Sequence, residues 1–165
     1  MAHPHQILLC FIPRNHYQAK IEPTTKSGYI AENPMQTIIM AIEKIIQFPC
    51  SPAQLWAIVG TPDRVDWVPG VTECTYDGSV RSLSLPGAGS IKEQILEHND
   101  AAMTMQYSCI ESPIPLESHL AEIELKANET GTTMHWRTTV APEQFEQFIA
   151  ESMDGAIEQL HTMLG

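Results

Sequence analysis

Four polar side chains fall on otherwise apolar faces of alternating segments and could do chemistry together: Arg81, Glu93, Tyr107 and His119. A hairpin through Pro86 to Gly89 puts Leu83 opposite Glu93 and Arg81 diagonal to it, within reach of long side chains. A turn near Asp100 puts Tyr107 opposite Glu93. A turn at Pro113 to Pro115 puts His119 opposite Cys109 and diagonal to Tyr107. The four then make a strip across four neighbouring strands, in a register where a one-residue slip would turn a whole strand outward. Arg and Glu buried without partners would cost several kcal/mol, so they should pair or meet a ligand. Such a strip can anchor and orient a mostly apolar ligand. In an enzyme, Glu93 or His119 could move protons and Arg81 could hold an enolate or carboxylate. A structural salt bridge with a tyrosine attached, or an Arg81 that extends outward at its strand end, is the other reading of the same residues.

Other chemistries find no residues. Cys10, Cys50, Cys74 and Cys109 form no C-x-x-C pair and none has zinc-finger spacing to a histidine, so reduced thiols are expected. The sequence holds no H-x-x-H or H-E-x-x-H, and no metal site or cofactor is expected. Asp63, Asp66, Asp77, Asp100 and Asp154 fall in turns or on helix surfaces, out of place for a Ser–His–Asp triad. Gly87-x-Gly89 lacks the following helix and lysine of a phosphate loop.

The elements that must position the strip follow from pattern. Residues 37–48 predict an isoleucine-rich strand. Ser51-Pro52 starts a short helix with Leu55, Trp56 and Val59 on its apolar face. A second helical turn is expected over 63–67, ending at Pro69-Gly70. Period-two strands follow at 71–77, 80–85, 90–97, 102–110, 117–127 and 132–141. Each has one apolar and one wet face, as in an antiparallel sheet packed on one side. Pro142 opens a closing helix of about 22 residues, roughly 33 Å long. Its stripe includes Phe145, Phe148, Ile149, Met153, Ile157 and Leu160. One long helix against a curved seven-stranded sheet is the two-layer solution that order suggests.

Composition bounds the partners. The 165 residues carry 9 Lys and Arg against 20 Asp and Glu, a net charge of −11. That argues against a nucleic-acid or anionic-lipid surface. No apolar run reaches the length of a membrane span, and Ile7 to Ile12 is too short for a secretory signal, so a cytoplasmic protein is expected. Residues 1–36 hold four of the 12 prolines and three of the seven histidines and keep no period. They predict an extension, loosely packed or disordered, before a domain over 37–165.

The stretches FPCSPAQLWAIV, DWVPGV, VRSLSLPGAGSIKEQILEHNDAAMTMQYSCIESPIPLESHLAEIEL and GTTMHWRTTV, in this order, resemble the START/birch-pollen-allergen (SRPBCC) superfamily, in its polyketide cyclase/dehydrase branch. The similarity covers about residues 38–164. It implies an α+β helix-grip fold: a curved antiparallel sheet of seven strands around the C-terminal helix, with two short helices after the first strand. It also implies a cavity between sheet and helix. Met103, Met105, Tyr107, Ile123, Met134, Trp136, Phe148 and Met153 would line it, with Arg81, Glu93 and His119 as its polar part. The implied function is binding of a polyketide-like, lipid-like or aromatic molecule. A cofactor-free cyclase or dehydrase in the same cavity, and a protein-interaction module, are the rival readings. Many relatives carry Tyr where His119 stands and an aromatic residue near Val140, so their ligands do not transfer directly.

Overall fold

Strict alternation of apolar and polar residues writes seven strands, and the breaks between them are turn residues. In a computed structural model of the chain, residues 41–87 and 89–165 are described. The chain divides after Ile38, and the second unit, Ile39–Gly165, carries the fold. The N-terminal extension and the start of the strand expected from residue 37 lie outside the described residues.

The strands are β1 (Ala41–Phe48), β2 (Glu73–Tyr76), β3 (Val80–Leu85), β4 (Gly89–Asn99), β5 (Thr104–Glu111), β6 (Ser118–Asn128) and β7 (Gly131–Ala141). They form one curved antiparallel sheet in the order β1-β7-β6-β5-β4-β3-β2. Strands β2 to β7 meander, and β1 closes the far edge beside β7. Helix α1 (Pro52–Val59) follows β1. Ser51 Oγ accepts from Gln54 N–H while Gln54 Oε1 accepts from Ser51 N–H, a reciprocal cap on the first turn.

The second short helix is absent. Residues 61–71 make separate turns, closed by bonds such as Arg64 N–H to Thr61 O and Val68 N–H to Val65 O. Only six residues separate Pro62 from Pro69, too few to repay nucleation of a helix. The closing helix also starts later than expected. Glu143–Phe145 forms a 3-10 turn, and α2 runs over Glu146–Leu164.

The apolar strand faces and α2 enclose one core. It joins Phe48, Leu55, Trp67, Met105, Ile123, Met134, Met153 and Leu160, among others. Lys44 Nζ meets Asp154 Oδ1 at 2.6 Å and ties β1 to α2. At the start of β7 a Cβ on Gly131 would come within 2.2 Å of the Phe48 carbonyl oxygen, and its φ of +149° suits glycine. That close approach lets β7 pass directly against the β1–α1 junction.

Candidate functional site

The inner face of the sheet is set by burial. On β7 the buried residues are Thr132, Met134, Trp136, Thr138 and Val140; on β6 they are Ala121, Ile123 and Leu125; on β5 they are Met105 and Tyr107. Arg81 and Leu83 are the buried pair on β3. Arg81, Glu93, Tyr107 and His119 therefore share this face across β3, β4, β5 and β6.

Their register differs from the expectation by even steps. Arg81 pairs directly with Glu93, and Leu83 pairs with Ile91, because the hairpin closes with Leu85 opposite Gly89. Glu93 pairs with Cys109 and Ile95 with Tyr107, in a strand pair with irregularities at Lys92/Glu93 and Ile95/Glu97. A shift of two residues keeps every side chain on its face, so the strip survives with changed neighbours. The β5–β6 pairing runs at the expected register, from Thr104↔Glu124 to Tyr107↔Ala121.

At the centre is a buried ion pair. Arg81 is 3% exposed. Its Nε donates to Glu93 Oε2 at 2.7 Å and its Nη1 to the Pro62 carbonyl at 3.1 Å. The guanidinium lies 4.7 Å from the centre of the Tyr107 ring. Burial opposes the Arg81 charge most strongly of any single influence, but Glu93, Tyr107 and Cys74 together outweigh it, so the Arg81 pKa is raised. Burial, then the Glu93 charge, pushes the Tyr107 phenol up and the Cys109 thiol up to about 11. Neither ionises near neutral pH.

His119 completes the strip. Its ring centre lies 6.1 Å from that of Tyr107. Cys109 N–H donates to His119 Nδ1 at 3.0 Å, and Ser108 Oγ donates to the His119 carbonyl at 2.6 Å. Burial lowers the His119 pKa, partly opposed by Glu93. A neutral ring whose Nδ1 accepts a hydrogen bond carries its proton on Nε2.

Residues 61–71 cover part of this face. The Pro62 carbonyl caps Arg81, and Trp67 packs edge-on against Trp136 with ring centres 5.6 Å apart. Trp136 is 6% exposed, and its Nε1 has no hydrogen-bond partner among the described residues. That nitrogen lies near enough to the Tyr107 phenol to favour its ionised form, yet short of hydrogen-bond geometry.

The other expected residues divide between core and rim. Met105, Ile123, Met134, Trp136 and Met153 belong to the core. Met103 lies before β5, not within it: its φ of +53° places it in the turn, where it packs on the core from the side. Phe148 is half-buried on the first turn of α2. Beyond Tyr107 the paired register of β5 and β6 stops. A hollow of about 240 Å³ lies there, lined by Cys109 to Ser112 and Ile114 to Leu116. A Cβ on Gly89 would come within 3.1 Å of Pro113 Cγ, so the start of β4 and the β5–β6 connection lie against each other at this end. Three contributors to the strip were not expected: the Pro62 carbonyl, the Cys109 N–H and the Trp67 ring. The first two are backbone groups, which leave no mark in side-chain patterns. Among the described residues no cluster of His, Cys, Asp or Glu could hold a metal ion, and no helix is long and apolar enough to cross a membrane.

Residues 40–164 match the family described as polyketide cyclase / dehydrase and lipid transport. No curated protein sequence matches the chain. Among solved structures, the protein XoxI from Bacillus cereus is 24% identical, covers 75% of this chain and 94% of its own, and superposes with a TM-score of 0.69. A START superfamily protein from Mycobacterium smegmatis is 12% identical, with coverage of 75% and 96% and a TM-score of 0.62. Ara h 8.0201 is 16% identical, with coverage of 76% and 97% and a TM-score of 0.63. These likenesses establish the helix-grip fold.

Proposed function

The chain belongs to the polyketide cyclase / dehydrase and lipid transport family, and from that premise we propose that it binds a hydrophobic small molecule between the sheet and α2. One observation carries this reading: an Arg–Glu ion pair is held on a face that is mostly apolar. Hydrophobic residues of similar volume would serve stability as well or better, so packing alone gives no reason for the pair. A ligand to be oriented does. Arg81, Glu93, Tyr107 and His119 form the polar anchor. Met103, Met105, Ile123, Met134, Trp136, Phe148 and Met153 form the apolar wall, where methionines adapt to an irregular guest.

Mass spectrometry of the protein under non-denaturing conditions tests the reading. A co-purifying apolar compound is expected, with occupancy reduced in Glu93→Gln. Unchanged affinity in both Glu93→Gln and Arg81→Met would make the strip structural. A bound compound whose mass changes during incubation would assign the chain to the cyclase or dehydrase reading. Failure to bind any hydrophobic probe, with a protein co-purifying instead, would favour the interaction module.

A further inference from the structure

The inner strip has more hydrogen-bond donors than acceptors. Its one carboxylate, on Glu93, is engaged by Arg81 Nε. Trp136 Nε1 is buried and has no hydrogen-bond partner among the described residues. The Tyr107 hydroxyl lies beside it and keeps its proton near neutral pH. His119 accepts from Cys109 N–H through Nδ1, which leaves its proton on Nε2 with no acceptor among the described residues. A buried donor left unpaired costs free energy, and native structures rarely carry one without a reason. The Arg81 charge is already neutralised by Glu93 at 2.7 Å, so nothing here calls for an anion.

We infer that Trp136 Nε1 and the Tyr107 hydroxyl form a paired donor site for a carbonyl oxygen of a neutral ligand, with His119 a further donor and not a general base. The inference rests on the binding reading above and narrows its ligand class to uncharged aromatic or aliphatic ketones and their relatives. An apolar body would pack on the methionine wall while the carbonyl takes the buried indole proton. Specificity follows from the cost of a mismatch: a hydrocarbon of the same shape leaves both donors unpaired. A carboxylate would approach Glu93.

Three probes of one shape test this on the full chain: acetylnaphthalene, the hydrocarbon isopropenylnaphthalene, and naphthoate. Calorimetric titration should show the ketone binding about tenfold tighter than the hydrocarbon, and naphthoate weaker than the ketone. Trp136→Phe should erase the difference between ketone and hydrocarbon, read as the ratio of the two affinities within the variant. Should that variant fail to fold, Tyr107→Phe should narrow the difference. In the unmodified protein, one of the three indole N–H resonances should move downfield with the ketone and stay put with the hydrocarbon. Equal affinities for ketone and hydrocarbon, or tighter binding of naphthoate, would overturn the donor site and leave the binding reading standing. If none of the probes binds, the binding reading falls and takes the donor site with it.

Discussion

Removing one partner of a buried ion pair leaves the other as an uncompensated charge. Arg81→Met should therefore destabilise the fold by about 3–5 kcal/mol, and the double change Arg81→Met with Glu93→Leu should recover most of that loss; denaturant midpoints measure both. His119 gives a pH dependence. Its folded pKa is lowered from the ordinary 6.5, so the unfolded chain takes up the proton first as pH falls. Its contribution is intact above pH 6.5 and is lost as pH drops through the folded value, at about 1.4 kcal/mol per unit of separation. The groups facing it are Glu93, Tyr107 and Cys109. Urea midpoints should fall from pH 7.5 to 5.5, and His119→Gln should flatten that part of the slope. With its pKa at about 11, Cys109 is about one part in a thousand thiolate at pH 8, so iodoacetamide should label it more slowly than a free peptide thiol. That the four residues share one face is legible in the sequence because side-chain direction along a strand has a period of two. The β3–β4 and β4–β5 pairings lie two residues from the expected register, and an even shift exchanges neighbours without reversing faces. The exact partners depended on where Leu85 meets Gly89 and on irregularities in β4, and no pattern of residue types records those.

At the scale of elements, strands and helix ends were legible wherever a turn or cap residue marks them. The Ser51–Gln54 cap is an example: Ser51→Ala should cost about 1 kcal/mol in unfolding free energy. Between Pro62 and Pro69 the residue types suggested a helical turn, but tertiary contacts take the backbone elsewhere. The Pro62 carbonyl turns to Arg81, the Trp67 ring to Trp136, and a Cβ on Gly155 of α2 would come within 3.6 Å of Pro69 Cγ. Such contacts lie between residues far apart in the chain, beyond the reach of local periodicity. Gly131 is a test of the same kind. Gly131→Ala would press a methyl group into the Phe48 carbonyl at a φ of +149°, and should lower stability by about 2 kcal/mol or more, read from the thermal midpoint.

For the whole molecule, the family match over residues 40–164 and the division after Ile38 agree on where the helix-grip unit begins. A chain of Ile39–Gly165 should therefore unfold in one cooperative transition, as scanning calorimetry would show. The cavity that the resemblance implies was not legible in the same way, because whether an apolar face is filled or hollow depends on volumes that a pattern of residue types does not encode. The packing of Trp67 against Trp136 has a practical consequence. Two indoles 5.6 Å apart and inclined at 64° couple their excited states, which gives a paired signal of opposite sign in circular dichroism. A guest that engages Trp136 would disturb that couplet and shift the emission of the pair, so the protein carries its own optical reporter of occupancy.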